Sequence, residues 1–100
     1  MGYRKMGVEI RDKEWVYLET RENLGLDCLG VCVASVETII VDPKLKGKPR
    51  MDTQIHEFVH AFYPDLAEDS VECFASQLSD FMWDIGYRAA NKKSKLKQHD

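Results

Sequence analysis

Apolar stretches rich in aromatic and β-branched residues in the first half of the chain predict a small β-sheet. The stretch WVYLET (15–20) is short, aromatic and β-branched, which is typical of a strand. The segment LDCLGVCVASVETIIVDP is rich in valine, isoleucine and cysteine, and it predicts two further strands at about 28–34 and 37–42, joined by a tight turn. The segment KLKGKPR (44–50) that follows is predicted to be a polar loop.

Apolar residues at helical spacing in the second half predict two helices. The first begins at a cap formed by Asp52 or Thr53 and runs to about Phe62, and Asp65 caps the second, which spans about 66–88. Strands followed by two helices predict an α+β fold, a small antiparallel sheet packed on two helices. The core-facing stripes are predicted to be Ile55, Phe58, Val59 and Phe62 in the first helix and Val71, Phe74, Ala75, Leu78, Phe81, Met82 and Ile85 in the second.

Length and charge fit one small domain with a basic tail. The 100 residues are 44% apolar, which suffices for one modest core of two layers. We predict a single domain over residues 1–90 and a disordered tail over 91–100, where four lysines accompany one aspartate. The net charge of −3 therefore hides a more acidic body, which argues against a partner that is a nucleic acid.

Apolar segments and cysteine usage suggest a compartment. The chain has no run of about 18 apolar residues, and its first residues lack the apolar segment of a secretory signal. The three cysteines, Cys28, Cys32 and Cys73, cannot all pair within one chain, and so few of them favour a reducing compartment over a disulfide scaffold. We therefore expect a cytoplasmic protein with no membrane partner.

The segment HEFVH carries two histidines four residues apart, with a glutamate after the first. On a helix His56 and His60 share one face, so both can direct an imidazole nitrogen at one metal ion. Glu57 is displaced by roughly 100° around the helix, where it can accept a proton from a metal-activated water. This pattern is that of zinc peptidases, and it predicts one Zn²⁺ per chain.

A catalytic zinc site needs a third protein ligand and an open position for water. The acids that follow the turn YPDL are candidates, namely Asp65, Glu68, Asp69 and Glu72. On a helical wheel of about 100° per residue, Glu68 lies at the edge of the apolar stripe, whereas Asp69 faces solvent. Glu68 is therefore the predicted ligand, although Asp65 and Glu68 also fit a capping box. Glu72 is predicted either to hydrogen-bond a ligating histidine or to be solvated.

Two cysteines offer a rival site. Cys28 and Cys32 could complete a structural Cys₂His₂ zinc site with His56 and His60. Four residues of strand span about 13 Å, whereas two sulfurs on one zinc lie within about 4.6 Å of each other. Only a tight knuckle at Gly30 would reconcile these lengths, so we expect the cysteines to pack as small hydrophobic residues.

The segment from HEFVH to PDLAEDSVECFA resembles the gluzincin metallopeptidases, in which a second helix supplies a glutamate ligand. The ImmA/IrrE-like peptidases of that group show a similar Glu-x-x-Ala-Asp-x-Phe-Ala pattern, which residues 68–75 follow with Val71 and Glu72 as differences. Residues 37–88 are more closely similar to a family of small, mostly phage-encoded proteins regarded as metallopeptidases. The resemblance implies a minimal zincin in which Glu68 binds the metal and Glu72 contacts the metal ligands. It implies no particular substrate.

Three hypotheses about function follow. The first is a zinc-dependent metallopeptidase-like hydrolase, with His56, His60 and Glu68 as metal ligands and Glu57 as general base, acting on a peptide or protein of the host or the phage. The second is a zinc-stabilised binding or inhibitor module that cleaves nothing. The third is the structural Cys₂His₂ site, which makes no use of Glu57.

A peptidase also needs features that lie outside the metal motif. An edge strand is required to hold an extended substrate, and the strand at 37–42 is the candidate. A donor is required to stabilise the developing oxyanion, and Tyr63, Tyr87 and Arg88 are the candidates.

Overall fold

A computed structural model describes residues 4–89 of the chain. Its elements are the strands β1 (Arg4–Ile10), β2 (Lys13–Glu19), β3 (Gly30–Val33) and β4 (Thr38–Val41), followed by the helices α1 (Gly47–Phe62) and α2 (Glu68–Asp84). The α+β class is thereby confirmed, with one four-stranded sheet and a pair of helices. The predicted basic tail lies outside the described residues. Within 4–89, no helix has the length and apolar character needed to cross a membrane.

The sheet is mixed, with the strand order β1-β2-β4-β3. β1 pairs antiparallel with β2, and β3 pairs antiparallel with β4, but β2 and β4 run parallel. The expectation of a wholly antiparallel sheet is therefore wrong at one pairing, because the β3–β4 hairpin docks on β2 through its second strand. For the same reason β4 is internal and β3 forms an edge, so the prediction of 37–42 as the edge strand is wrong.

The strand β1 is not predicted by the hydrophobic pattern. Its sequence RKMGVEI is mostly exposed, and only Ile10 is buried. A two-residue turn joins it to β2, and the two turn residues, Arg11 and Asp12, both have positive φ values of 50° and 68°. Such turns match the twist of a β-hairpin. The hairpin therefore depends on turn geometry and pairing with β2 more than on burial of its own side chains.

The core lies between the sheet and α1. Ile10, Trp15, Ile39 and Val41 are buried on one face of the sheet, and Phe62 of α1 packs against them. α1 covers β3 and β4, and α2 packs on α1. The helical hairpin is thus attached to the sheet through α1, which carries the metal motif.

The outer position of α2 exposes part of its apolar stripe. Val71 and Ala75 are fully buried against α1, as predicted. Phe74, Phe81 and Ile85 were predicted to face the core, but more than half of each side chain is exposed. The prediction is wrong for these three residues because α2 has a helix on one side only.

Both helices begin at residues other than those predicted. α1 begins at Gly47 with Lys46 as its N-cap, so the predicted cap at Asp52 or Thr53 is wrong. Pro49 lies in the first turn, where a backbone N–H has no intrahelical acceptor, so proline does not prevent the helix there. The prediction of a loop is therefore wrong over 47–50.

The bounds of α2 also differ from the prediction. Ala67 is the N-cap and makes no side-chain hydrogen bond, so Asp65 is not the cap. The helix ends at Asp84 rather than at about residue 88. Gly86, with a φ of 105°, adopts the left-handed conformation that commonly ends helices.

Candidate metal centre

A tight reversal between the two helices brings three predicted ligands together. His56 and His60 lie one turn apart on α1, and Glu68 is the first residue of α2. The reversal is closed by a hydrogen bond of 3.1 Å from the Leu66 backbone N–H to the Tyr63 carbonyl. One ligand atom from each of the three residues lies within 4.8 Å of the others, and these residues form the metal-capable group found among residues 4–89.

The three side chains have the dimensions of a zinc site. The His56 and His60 Nε2 atoms are 3.2 Å apart, and they lie 3.1 and 2.8 Å from the two carboxylate oxygens of Glu68. Ligands at about 2.0–2.1 Å from a tetrahedral zinc ion are about 3.3 Å from one another. The 3.2 Å separation of the two imidazole nitrogens and their distances to the Glu68 oxygens match the spacing of ligands around one such ion. The donor set therefore fits a divalent ion, and nitrogen with oxygen donors suits zinc.

Glu68 points toward the histidines and does not cap its helix. The start of α2 carries no side-chain cap, so the capping-box interpretation of Asp65 and Glu68 is wrong. The Glu68 side chain is 59% exposed, compared with 20% for His56 and 25% for His60. The group is therefore open to solvent on the α2 side, where a substrate would enter.

Glu57 is buried beside this group and has no partner. The residue is 7% exposed, and no hydrogen bond of its carboxylate is found among residues 4–89. Burial raises the pKa of Glu57 to about 7, and the Glu68 carboxylate adds to this rise while His60 opposes it. A carboxyl group with such a pKa can both accept and donate a proton near neutral pH.

Gly30 allows the edge strand to approach this part of α1. A Cβ atom at Gly30 would lie 2.8 Å from Thr53 Cγ2 and 3.2 Å from Glu57 Cγ, so any side chain there would push β3 and α1 apart. Glycine inside a strand often marks such an approach of two backbones. The sequence pattern around Gly30 suggests only a knuckle between the cysteines and does not predict this role.

Two adjoining cavities form a cleft over the metal group. The acidic cavity, of about 620 Å³, includes Asp27, Asp52 and Glu72 in its lining. The second cavity, of about 490 Å³, follows β3 and is lined there by Val31, Cys32, Ala34 and, from the interhelical turn, Pro64. Gly30, His56, Glu57 and Glu68 line both cavities. The cleft thus runs along the edge strand, with the metal group at its middle.

The cysteines do not join the histidines. The Cys28 thiol donates a hydrogen bond of 3.0 Å to the Gly30 carbonyl, within its own loop. Cys32 lies in the cleft, where burial and the nearby Glu57 carboxylate raise the pKa of its thiol. In the described part of the chain neither cysteine belongs to the group that could hold an ion. The structure therefore does not bring together the Cys₂His₂ set.

The predicted oxyanion donors lie away from the cleft. Arg88 donates to the carbonyls of Trp83 and Tyr87, and its guanidinium stacks over the Trp83 ring. Tyr87 and Arg88 line a separate cavity beside the end of α2, and Tyr63 lines a surface depression near Arg11. The prediction is not supported for any of the three.

Glu72 lies in the cleft but does not contact the histidines. It lines the acidic cavity together with Glu68, one helical turn away. Among the hydrogen bonds of residues 4–89, none joins Glu72 to His56 or His60. The predicted hydrogen bond to a ligating histidine is therefore not formed, and the alternative of a solvated acid agrees with its exposed position.

Comparisons with known proteins add nothing to this geometry. A scan against protein-family models, a search of curated proteins and a search of solved structures each found no match. The resemblance to phage-encoded metallopeptidases stays a prediction. The chemistry open to this site therefore follows from the arrangement of His56, Glu57, His60 and Glu68.

Proposed function

We propose that this protein is a zinc-dependent hydrolase that cleaves peptide bonds. The observation that carries the proposal is the convergence of His56, His60 and Glu68 within 4.8 Å, beside the buried and unpaired Glu57. A structural zinc site would close its fourth position with a protein ligand, whereas this group offers three ligands and opens into a cleft. We infer one Zn²⁺ per chain.

The four residues divide the chemistry between them. His56, His60 and Glu68 hold the ion, which supplies an acidified water and a positive charge toward a substrate carbonyl. Glu57 accepts the proton of the attacking water and then delivers it to the leaving amine. Its raised pKa of about 7 suits both transfers, since neither protonation state is strongly disfavoured at neutral pH.

The edge strand provides a means of holding an extended peptide. β3 pairs with β4 on one side only, so its outer edge carries backbone groups available to another strand. The cleft runs along β3 and over the metal group. A peptide added to this edge by β-augmentation would pass the metal group with its backbone extended. We propose a peptide or protein of the host or the phage as the substrate.

The free state of the cysteines bears on the redox conditions under which the protein acts. Cys28, Cys32 and Cys73 are all free thiols. Three unpaired cysteines in a chain this small agree with reducing conditions. We therefore propose that the protein acts in the cytoplasm.

One observation favours a second function. None of the three predicted oxyanion donors lines the cleft, and such donors contribute strongly to the rate of acyl transfer. A protein with the metal group but without this stabilisation would be a zinc-stabilised binding or inhibitor module. Its interaction surface would then be the same cleft.

The test compares zinc content and hydrolysis in matched variants. Wild-type protein is expected to hold one zinc and to cleave members of a peptide library, whereas Glu57→Gln should keep the zinc and lose activity by about 10²–10⁴-fold. Glu68→Ala should lose zinc, Cys32→Ser should retain zinc, and Asp69→Asn should retain both zinc and activity. Zinc-loaded wild-type protein that cleaves no peptide would support the binding module instead. Loss of zinc in Cys32→Ser with retention in Glu68→Ala would overturn the ligand assignment.

A further inference from the structure

We propose that the cleft selects peptides with a lysine or arginine on the C-terminal side of the scissile bond, held by Asp27, Asp52 and Glu72. This inference rests on the proposed function and specifies its substrate class. The three acids come from separate elements, since Asp27 precedes β3, Asp52 lies on α1 and Glu72 lies on α2. They meet in the lining of one cavity.

The charge of this cavity exceeds what a metal ion would neutralise. Five carboxylates line it, those of Asp27, Asp52, Glu57, Glu68 and Glu72, and its lining contains no lysine or arginine. One divalent ion neutralises at most two of the five carboxylates, so the cavity keeps a net negative charge. A basic side chain of the substrate would neutralise part of this charge at close range.

The three acids have no ion-pair partner among residues 4–89. The cations that form ion pairs there contact other acids, as Lys48 does with Asp80 at 2.8 Å and Arg21 with Asp42 at 3.1 Å. Lys48, one turn before Asp52 on α1, pairs with Asp80 of α2, and Asp52 is the weakest of the acids that act on it. The negative charge of the cavity is therefore left for a ligand.

Glu57 provides an independent sign that this cavity receives a polar ligand. The residue is 7% exposed, makes no hydrogen bond through its carboxylate within the described residues and lines the same cavity. Its carboxylate oxygens are accessible from the cavity and are not sealed in the core, so a ligand in the cavity can contact them. The acids and Glu57 thus line one space that is built for a ligand.

The two ends of the cleft differ in chemistry, and this difference gives the orientation. The acids lie toward the Gly30 end of β3, while Val31, Cys32, Ala34 and Pro64 line the other end. Antiparallel pairing is slightly more stable than parallel pairing, so the substrate is expected to run opposite to β3. Its C-terminal side then faces the acids, and small apolar residues precede the scissile bond.

The test uses three peptides that differ only at the residue after the scissile bond, which is lysine, alanine or glutamate. With zinc-loaded wild-type protein, kcat/KM is expected to be roughly five- to tenfold higher for lysine than for glutamate. The double variant Asp52→Asn with Glu72→Gln should bring this ratio close to one. Asp69→Asn, which removes an acid of α2 outside the cleft, should leave the ratio unchanged. Equal rates for all three peptides, or a ratio that the double variant preserves, would overturn the inference.

A binding measurement keeps the inference separate from the proposed function. Fluorescence anisotropy with zinc-loaded Glu57→Gln reports peptide affinity without any cleavage. The lysine peptide is expected to bind roughly five- to tenfold more tightly than the glutamate peptide, and less so at high salt. This result together with an inactive wild-type protein would overturn the hydrolase and support the acidic subsite. Equal affinities would overturn the subsite whether or not the protein cleaves peptides.

Discussion

Two clusters of buried polar side chains lie against α1, and only one of them is complete. In the first, Arg50 donates to Glu19, Gln54 donates to the Tyr17 hydroxyl at 2.8 Å, and Tyr17 donates to Glu19 at 2.5 Å. In the second, near the middle of the same helix, Glu57 has no such partner among residues 4–89. Glu19 and Glu57 are equally buried, at 6% and 7% exposure, so burial does not distinguish them.

The two clusters differ in whether their polar side chains all bond to one another. The Arg50–Glu19–Tyr17–Gln54 network joins α1 to β2 and needs nothing from outside the chain. The second cluster brings two histidines and a carboxylate within 4.8 Å of one another, beside an acid whose pKa is raised to about 7. A buried acid that opens into a cleft beside converging metal ligands is thus a better indication of function than burial alone.

The largest effect on stability is expected when Arg50 is removed from the hydrogen-bonded network that it forms with Glu19, Tyr17 and Gln54. Arg50→Met leaves the Glu19 carboxylate buried and uncompensated, which should lower the free energy of unfolding by about 3–5 kcal/mol. The matched control is Lys48→Met, since Lys48 also lies on α1 and pairs with Asp80, but both side chains are exposed. The control should change the stability little, because an exposed ion pair is screened by solvent. Urea unfolding followed by circular dichroism measures both values, and similar losses in the two variants would contradict the account.

A smaller effect is expected where β3 approaches Glu57. Gly30→Ala places a methyl group against Thr53 and Glu57, so it should destabilise the protein by about 1–3 kcal/mol and reduce hydrolysis by displacing Glu57. Gly25→Ala is the control, because its Cβ would meet Cys28 Cβ at an ordinary 3.6 Å. Thermal unfolding and peptide cleavage of both variants provide the readout. Full activity in Gly30→Ala would show that this approach does not position Glu57.

The smallest effect concerns the pH dependence of the metal-free protein. Because the pKa of Glu57 is about 7 when folded and near 4.5 when unfolded, the unfolded state loses this proton first as pH rises. The contribution of Glu57 to the free energy of unfolding therefore falls as the pH rises from about 4.5 to 7. Above pH 7 it stays at this lower value. Glu57→Gln should equal wild type at pH 4 and exceed it by about 1–2 kcal/mol at pH 8. Unfolding in a chelator at both pH values tests this, and a difference that does not change with pH would argue against a protonated Glu57.

The parts of the fold that the sequence predicts are local ones. His56 and His60 share a face by helical spacing alone, and Glu68 follows from a helical wheel and a short turn. The class of fold follows from the order of strands and helices. Each of these predictions needs only residues that are close in the chain.

The parts that the sequence does not predict depend on distant residues. The order β1-β2-β4-β3 makes β3 the edge, and neither strand length nor composition encodes that order. The contact of Gly30 with Glu57 and the meeting of Asp27, Asp52 and Glu72 arise only once β3, α1 and α2 are packed. The exposed phenylalanines of α2 were assigned to the core because periodicity identifies an apolar face but not whether another element covers it.

The measurement that tests the central claim most directly is the anomalous diffraction of zinc in crystals of the zinc-loaded protein. A single peak is expected within about 2.2 Å of the His56 and His60 Nε2 atoms and of a Glu68 carboxylate oxygen, with Glu57 beside it and no sulfur in the coordination sphere. A peak bound to Cys28 or Cys32, or no peak between the two helices, would contradict the account.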